Sequence, residues 1–336
     1  MPEPEPEPEP GPGPEPEPDP ERTGERVPRP DSAVHILGVA LDHGAGRRGV
    51  GMGPDALRLA QLGDSLEKVG LTVVDLGDIE VRGPETEEMG SPNARYLGVI
   101  EKACRELCDA VARTMRAGQL PLVIGGDHSV AIGTISGVST VLRERTGVAP
   151  PDFGVLWFDA HADINTPESS PSGNIHGMPV ACLLGKGPKE LTAIGYDGPK
   201  IRPERLVQIG LRELDPAEKR RLRESQIHTY TMTDIDRRGM GRVLEEAIGL
   251  ATFGVDHLHV SFDIDVLDPS VAPGTGTSKK GGLTYREAHL ALEMVAETGL
   301  LRSFELVEVN PVLDRENMTA QLAVGLICSA MGKRIL

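Results

Sequence analysis

Short apolar runs that alternate with longer amphipathic segments most constrain how this 336-residue chain can fold. From residue 32 onward many of the short runs end at Gly, Asp or Asn, and several are apolar at consecutive positions, as strands buried on both faces are. The pattern predicts repeated βα units in a doubly wound α/β/α sandwich. The predicted strands are 34–38, 72–76, 121–124, 154–158, 206–209, 227–230, 257–262 and 304–309. The predicted helices are 54–69, 95–116, 130–145, 234–250, 284–297 and 319–331, with core positions at Leu57, Leu59, Leu62, Leu290, Leu292 and Met294.

The N-terminal segment differs sharply in composition from the rest of the chain. Residues 1–31 hold twelve prolines, ten acidic residues and three arginines, so this segment contributes −7 to the net charge of −16. Its Glu-Pro repeat lacks a backbone donor at every second position and has no apolar residues to bury. We therefore expect a disordered acidic tail that acts as a spacer or solubilising segment, with a docking role as the alternative, followed by a single domain over residues 32–336.

The remaining composition excludes several classes of protein. Strong acidity argues against a nucleic-acid or anionic-membrane surface, because phosphate binding depends on clustered Lys and Arg. No apolar run approaches the ~18 residues of a membrane span, and the Met-Pro-Glu-Pro start lacks the order of a signal peptide. Four cysteines without a C-x-x-C pair indicate packing rather than disulfides or zinc. We expect a cytoplasmic protein with a small, cationic substrate.

Three of the predicted strand ends carry unusual polar clusters. In open parallel sheets ligands bind beyond the carboxyl ends of the strands, so these positions are where chemistry is expected. Extended residues alternate faces, which places Asp159, His161 and Asp163 on one side of the chain. The clusters are Gly-Gly-Asp-His-Ser at 125–129, Asp-Ala-His-Ala-Asp at 159–163 and Ser-Phe-Asp-Ile-Asp at 261–265.

Buried aspartates at strand ends require a cation, because an unpaired carboxylate out of water costs several kcal/mol. Taken singly, Asp127 and Asp159 could cap helices, Asp163 could form a turn, and arginines elsewhere could pair with them. However, no Lys or Arg lies within 159–165 or 261–270, and histidines accompany the acids. This combination favours two divalent cations. Oxygen-rich ligation with imidazole and without thiolate favours Mn over Zn or Mg and leaves Co, Fe and Ni open.

Two further histidines lie near the third cluster. His259 precedes Asp263 by four strand residues, or ~13 Å, which is too far for both to bind one ion. We interpret His257 and His259 as strand-interior or edge residues, and Glu305, which falls on the opposite face to Glu308, as structural.

In that order along one chain, the three clusters resemble the metal motifs of the ureohydrolase family, which includes arginase and agmatinase. The resemblance extends from about residue 34 to the C-terminus and implies a three-layer α/β/α sandwich around a mostly parallel, eight-stranded sheet. It implies two Mn²⁺ per subunit sharing a water that becomes the attacking hydroxide, and a homo-oligomer, either trimer or hexamer. The implied ligands are His128, Asp159, Asp163 and Asp263 for one ion and Asp159, His161, Asp263 and Asp265 for the other.

The segment 165–179 resembles the arginase loop rather than the agmatinase loop. By this resemblance the catalytic residues are His176, for proton transfer, together with Asp163 and Glu308, which faces the guanidinium. Asn165, Ser172 and Asn174 would read the α-carboxylate of the substrate and Asp215 its α-amino group, while Thr277 would assist Glu308. A polar surface loop is the alternative interpretation of 165–174. The full implied substrate-binding set is His161, Asp163, Asn165, Ser172, Asn174, Asp215, Thr277 and Glu308.

The resemblance predicts hydrolysis of L-arginine to L-ornithine and urea. Three positions depart from the arginase pattern, namely Val266 in place of Gly, Ser278 in place of Pro and Glu213 in place of Asp. These departures bear on the substrate and leave two alternatives open. One is a ureohydrolase for another guanidino compound, such as agmatine or guanidinobutyrate. The other is a non-catalytic arginine-binding homologue.

Overall fold

Eight strands form one parallel sheet in the computed structural model, which describes residues 32–334. The strands are β1 (Val34–Val39), β2 (Val73–Ile79), β3 (Leu120–Gly125), β4 (Gly154–Phe158), β5 (Leu206–Leu211), β6 (His228–Thr231), β7 (Leu258–Asp263) and β8 (Leu301–Val307). The strand order is β2-β1-β3-β8-β7-β4-β5-β6, and every pair is parallel. Each predicted strand is confirmed, although β2 ends three residues later and β8 begins three residues earlier than the pattern indicated.

Helices cover both faces of the sheet, as predicted. Along β4, Leu156 and Phe158 enter one core while Val155 and Trp157 enter the other, so the strand is buried on both sides. The helices are α1 (Gly53–Leu59), α2 (Leu62–Lys68), α3 (Leu97–Arg116), α4 (Val130–Thr146), α5 (Pro179–Leu183), α6 (Lys189–Thr192), α7 (Pro216–Glu224), α8 (Met232–Arg238), α9 (Met240–Thr252), α10 (Tyr285–Glu297) and α11 (Met318–Ala330). One core is closed mainly by α1, α2, α9, α10 and α11 and the other by α3, α4 and α5.

Two predicted helices are each divided in the structure. The segment predicted at 54–69 breaks between α1 and α2 at Gln61, whose φ of 62° is left-handed. The segment predicted at 234–250 breaks at Gly239, whose φ of 79° ends α8 and opens α9. A left-handed residue cannot continue a right-handed helix, and apolar periodicity does not register such a single-residue change.

Two residues predicted in the core are exposed. Leu59 is 79% and Leu290 37% exposed, whereas Leu57 and Leu292 are buried. A step of two residues turns ~200° around a helix, so members of each pair point in opposite directions. The pattern also missed the short helices α5, α6 and α7. In α7 most residues are charged, so no apolar stripe marked it.

The sheet topology brings the three predicted clusters together. Strands β3, β8, β7 and β4 are consecutive at the centre of the sheet and run in the same direction, so their carboxyl ends share one edge. The clusters follow β3, β4 and β7, and Glu308 follows β8 directly. Separate positions in the sequence therefore converge on one region. The acidic tail predicted for residues 1–31 lies outside the described residues.

Candidate metal centre and substrate cavity

His128 lies at the centre of the first group of acidic side chains. Its Nδ1 atom lies 3.2 Å from Asp159 Oδ2, 3.1 Å from Asp163 Oδ2 and 3.2 Å from Asp263 Oδ2. The ring is buried and stacks on Trp157 with centroids 4.3 Å apart. On the opposite side of the ring, Nε2 lies 2.9 Å from Ser261 Oγ. Ser261 therefore orients the imidazole so that Nδ1 faces the three carboxylates.

His161 forms the second group on the other side of Asp159. Its Nδ1 lies 3.3 Å from Asp159 Oδ1 and 3.0 Å from Asp265 Oδ2. The two oxygens of Asp159 are thus divided between the histidines, one facing each. Backbone amides hold two of these carboxylates, since Asp159 Oδ1 accepts from His161 N at 2.7 Å and Asp263 Oδ1 accepts from Asp265 N at 2.8 Å.

The geometry of both groups suits metal ions. The ligand atoms of His128, Asp159 and Asp263 lie within 4.8 Å of one another, as do those of Asp159, His161 and Asp265. Although His128 Nδ1 is buried and close to three carboxylates, none of these contacts has the geometry of a hydrogen bond. A histidine that uses one ring nitrogen on a neighbour and leaves the other facing carboxylates is the usual arrangement of a metal ligand. The donors therefore fit two adjacent divalent cations sharing Asp159.

Mutual repulsion among the buried acids indicates the same need for positive charge. Burial and the neighbouring charge of Asp159 raise the pKa of Asp163 to about 7. Burial and the charges of Asp265 and Asp159 raise the pKa of Asp263 well above its ordinary value. Burial lowers the pKa of His128, but the surrounding aspartates outweigh it and raise this pKa well above 6.5. Divalent cations would relieve this crowding of carboxylates.

Arg212 supports the backbone of the metal centre, and the sequence patterns did not single it out. Its guanidinium donates to the carbonyl oxygens of Asp265 at 2.6 Å, Val266 at 3.1 Å and Lys279 at 2.8 Å. These hydrogen bonds connect the turn after β7 to the segment 277–282. Because all three are to backbone carbonyls, Arg212 leaves the Asp265 carboxylate available as a metal ligand.

Glu308 and His176 form a pair beside this centre. Glu308 follows β8 with a φ of 66°, a strained conformation for a residue other than glycine. Its Oε1 accepts from His128 N at 3.0 Å and lies 2.9 Å from His176 Nδ1. Burial lowers the pKa of His176, but Glu308 outweighs it and raises this pKa to about 9. The other oxygen, Oε2, is buried without a hydrogen-bond partner among the described residues.

A cavity of about 300 Å³ opens in front of Glu308. It provides the predicted catalytic pair with space for a small ligand. Asn174 and Thr277, two of the predicted substrate residues, also line it. The loop after β1 supplies three lining residues that the sequence patterns missed, although its position after a strand end was an available signal. The lining residues are Ala45, Gly46, Arg47, Asn174, His176, Gly276, Thr277 and Glu308.

The structure places Asn165 against Asp215. Asn165 Nδ2 donates to Asp215 Oδ2 at 2.6 Å, while its Oδ1 accepts from Ser169 Oγ at 2.8 Å. The other oxygen of Asp215 caps α7 by accepting from the amides of Ala217 and Glu218. The two predicted substrate residues are thus adjacent, but neither lies among the residues that line the cavity.

Ser172 and Thr277 differ in their distance from the proposed metal centre. Ser172 is exposed, and its Oγ accepts from Asn174 N at 3.2 Å. The Thr277 hydroxyl donates to Asp265 Oδ2 at 2.7 Å. The side-chain hydrogen bond of Thr277 is therefore to Asp265 of the candidate metal centre and not to Glu308.

Two of the three departures from the arginase pattern, Val266 and Glu213, have structural partners. Val266 lies against Gly210, where an added Cβ would come within 2.4 Å of Val266 Cγ2. Glu213 Oε1 pairs with Lys279 Nζ at 3.1 Å, both side chains being exposed. Lys279 directly follows Ser278, so this ion pair links Glu213 to the residue next to Ser278.

Comparison with known proteins supports the resemblance drawn from the motifs. The model of the Arginase family matches residues 32–332. The arginase of Bacillus caldovelox is 48% identical over 304 residues, which are 90% of this chain and 99% of that protein. The chain belongs to the arginase family. It is accordingly an arginase-type hydrolase with the α/β fold that the sequence predicted.

Solved structures agree with this family assignment. The native structure of B. caldovelox arginase has a TM-score of 0.86 at 48% identity, covering 91% of this chain and 100% of that one. An Entamoeba histolytica arginase in complex with L-ornithine has a TM-score of 0.82 at 35% identity, covering 90% of this chain and 99% of that one. None of the helices within residues 32–334 has both the length and the hydropathy that a membrane span requires.

Proposed function

We propose that this protein hydrolyses L-arginine to L-ornithine and urea with two Mn²⁺ ions. The proposal is carried by one observation: Glu308 and Thr277 line the cavity and hydrogen-bond to His128 N and Asp265 Oδ2 of the two candidate metal groups. Curated and solved arginases support the same reaction, and one of them is a complex with L-ornithine.

We propose two sets of metal ligands, one for each ion, and Asp159 and Asp263 belong to both sets. One set is His128, Asp159, Asp163 and Asp263, and the other is Asp159, His161, Asp263 and Asp265. Carboxylate oxygens with imidazole and no thiolate favour Mn²⁺. When bound, a pair of such ions supplies the Lewis acidity that makes water a nucleophile near neutral pH.

Glu308 is the proposed receptor for the guanidinium group. An arginine side chain presents planar N–H donors that match a carboxylate, and charge-assisted bonds of this type are the stronger hydrogen bonds in proteins. Oε1 of Glu308 is already engaged by His128 N and His176, so Oε2 is available for the substrate. Bound there, the guanidinium carbon lies next to the proposed metal centre.

His176 is the proposed proton donor to the leaving amine. It lines the cavity, and the raised pKa of about 9 keeps it protonated at neutral pH. Proton transfer to ornithine then requires only that the leaving nitrogen face the imidazole, since a catalytic histidine works within hydrogen-bond distance.

Asn165, Ser172, Asn174 and Asp215 are the proposed receptors for the α-carboxylate and α-amino groups. The amides and hydroxyl suit a carboxylate, and a site that satisfies a polar group rejects analogues lacking it. The neighbouring Glu213–Lys279 ion pair distinguishes this site from the usual pattern and keeps a second candidate open, a ureohydrolase for another guanidino compound.

A substrate panel tests the proposal. Protein loaded with Mn(II) is assayed for urea release from L-arginine, agmatine and guanidinobutyrate. We expect L-arginine to be strongly preferred. Preference for agmatine would replace the proposed substrate by the second candidate, and arginine binding without turnover would support the non-catalytic alternative.

By analogy with the family, we also propose a cytoplasmic homo-oligomer, either a trimer or a hexamer. Light scattering of the purified full chain measures the oligomer mass directly, and a monomer at assay concentration would contradict this.

A further inference from the structure

Arg95, just before α3, contacts two consecutive residues of the loop proposed to read the α-carboxylate. Its backbone N–H donates to Gly173 O at 3.0 Å. Its side-chain Nη1 donates to Asn174 Oδ1 at 3.5 Å. No sequence motif marked this residue, because it lies outside the strand ends that carry the metal ligands.

The contact determines which end of the Asn174 amide faces the cavity. An arginine guanidinium has donors and no acceptor, so the Asn174 oxygen must face Arg95 and the NH₂ group must point away. On that other side lies Gly46, where an added Cβ would be 3.0 Å from Asn174 Nδ2. Both Gly46 and Asn174 line the cavity. The cavity therefore receives the donor end of the amide.

Close backbone packing fixes the distance between the two loops. Gly173 has a φ of +71°, and a Cβ at this position would lie 1.8 Å from Pro92 O. Tyr96 N donates to Met89 O at 2.7 Å, which anchors the segment that carries Arg95. Asn174 is only 9% exposed, so its amide has little freedom to turn over by itself.

We propose that Arg95 is a positioning residue for substrate selectivity, which presents the N–H groups of Asn174 to the carboxylate of an amino-acid substrate. A reversed amide would present its oxygen, which repels a carboxylate and leaves a substrate without one unaffected. This inference rests on the proposed function, because it assumes that Asn174 meets the α-carboxylate.

The test compares Arg95→Met with the wild type in the full-length, Mn-loaded protein. Because one oriented hydrogen bond is lost, we expect the KM for L-arginine to rise about tenfold and kcat to change less than about twofold. Inhibition by L-ornithine should weaken by a similar factor. Inhibition by putrescine, which lacks the carboxylate, should stay the same. Arg95→Lys keeps a donor and should recover part of the loss.

Arg113→Met is the matched control, since Arg113 is exposed on α3. It should change neither constant. Equal weakening of ornithine and putrescine inhibition by Arg95→Met, or an unchanged KM for arginine, would overturn the inference. If the wild type itself releases no urea from arginine, the proposed function fails instead, which distinguishes the two failures.

A second variant keeps the inference testable if Arg95→Met does not fold. Asn174→Asp retains an acceptor for Arg95 and replaces the NH₂ group by oxygen. We expect a higher KM for L-arginine, whose α-carboxylate the new charge repels, and no weakening of inhibition by putrescine, which carries only positive charge. An unchanged KM for L-arginine in this variant would also overturn the inference.

Discussion

Replacing Ser261 by alanine tests whether the hydroxyl behind His128 supports metal binding. Ser261 Oγ lies 2.9 Å from His128 Nε2 on the side of the ring away from the aspartates. The residue is fully buried in β7, so no solvent molecule takes over the hydrogen bond without opening the core. Ser261→Ala therefore frees the imidazole to rotate or to change tautomer, while every proposed ligand remains in place.

The expected magnitude follows from this single contact. Loss of the partner that orients a ligating histidine typically lowers metal affinity by about 10- to 100-fold, or roughly 1.4–2.7 kcal/mol. We also expect the free energy of unfolding to fall by about 1 kcal/mol. One buried hydrogen bond is removed, and the cavity left by the missing hydroxyl is small.

Ser303→Ala provides the matched control. Ser303 is equally buried, one strand away on β8, and its hydroxyl contacts His257 at 3.1 Å and His259 at 2.9 Å. Neither histidine is a proposed ligand. The assay is competition of each variant with a calibrated chelator for Mn(II), with thermal unfolding of the metal-free forms measured in parallel. If Ser261→Ala and Ser303→Ala bind Mn(II) with equal affinity, Ser261 does not support metal binding by orienting His128.

Three further predictions concern the catalytic pair and the tail. Glu308→Gln should lower kcat/KM for L-arginine by roughly 100-fold while Mn(II) content stays at the wild-type value, because a charge-assisted bond to the guanidinium is lost; activity within twofold of wild type would count against Glu308 as the receptor. The pKa of His176 is raised from 6.5 to about 9, so its pairing with Glu308 stabilises the metal-free fold fully below pH 6.5 and ceases to do so as pH rises through about 9. His176→Asn should remove this part of the pH dependence of Tm, and parallel Tm curves for the two proteins would contradict it. Deletion of residues 1–31 should leave Tm and kcat/KM unchanged, and a drop in either would assign the tail a structural role.

The strand ends were predictable because buried parallel strands and their polar termini leave a direct trace in the sequence. Asp159, His161 and Asp163 follow one apolar run, and the structure places all three within the proposed metal centre. The sheet order was not predictable from those runs, since it depends on crossover connections, yet it determines that β3, β8, β7 and β4 lie side by side.

Other parts of the site could not be predicted from sequence motifs. Arg212 donates to backbone carbonyls and Arg95 donates to the side-chain amide of Asn174, and no motif marks contacts of this kind. The contact between Asn165 and Asp215 joins residues 50 positions apart, and it depends on how α7 begins. The sequence predicts His259 to be a strand-interior or edge residue, and the structure buries it with Ser303 and Glu305 in the centre of the sheet.

Urea release from L-arginine, followed as Mn(II) is returned to metal-stripped protein, tests most directly whether two Mn²⁺ ions are needed for hydrolysis. Bound metal is counted in the same samples. We expect no activity without metal and a rise that saturates at two ions per chain. Full activity in the stripped protein, saturation at one ion, or no urea release with two ions bound would contradict the two-ion proposal.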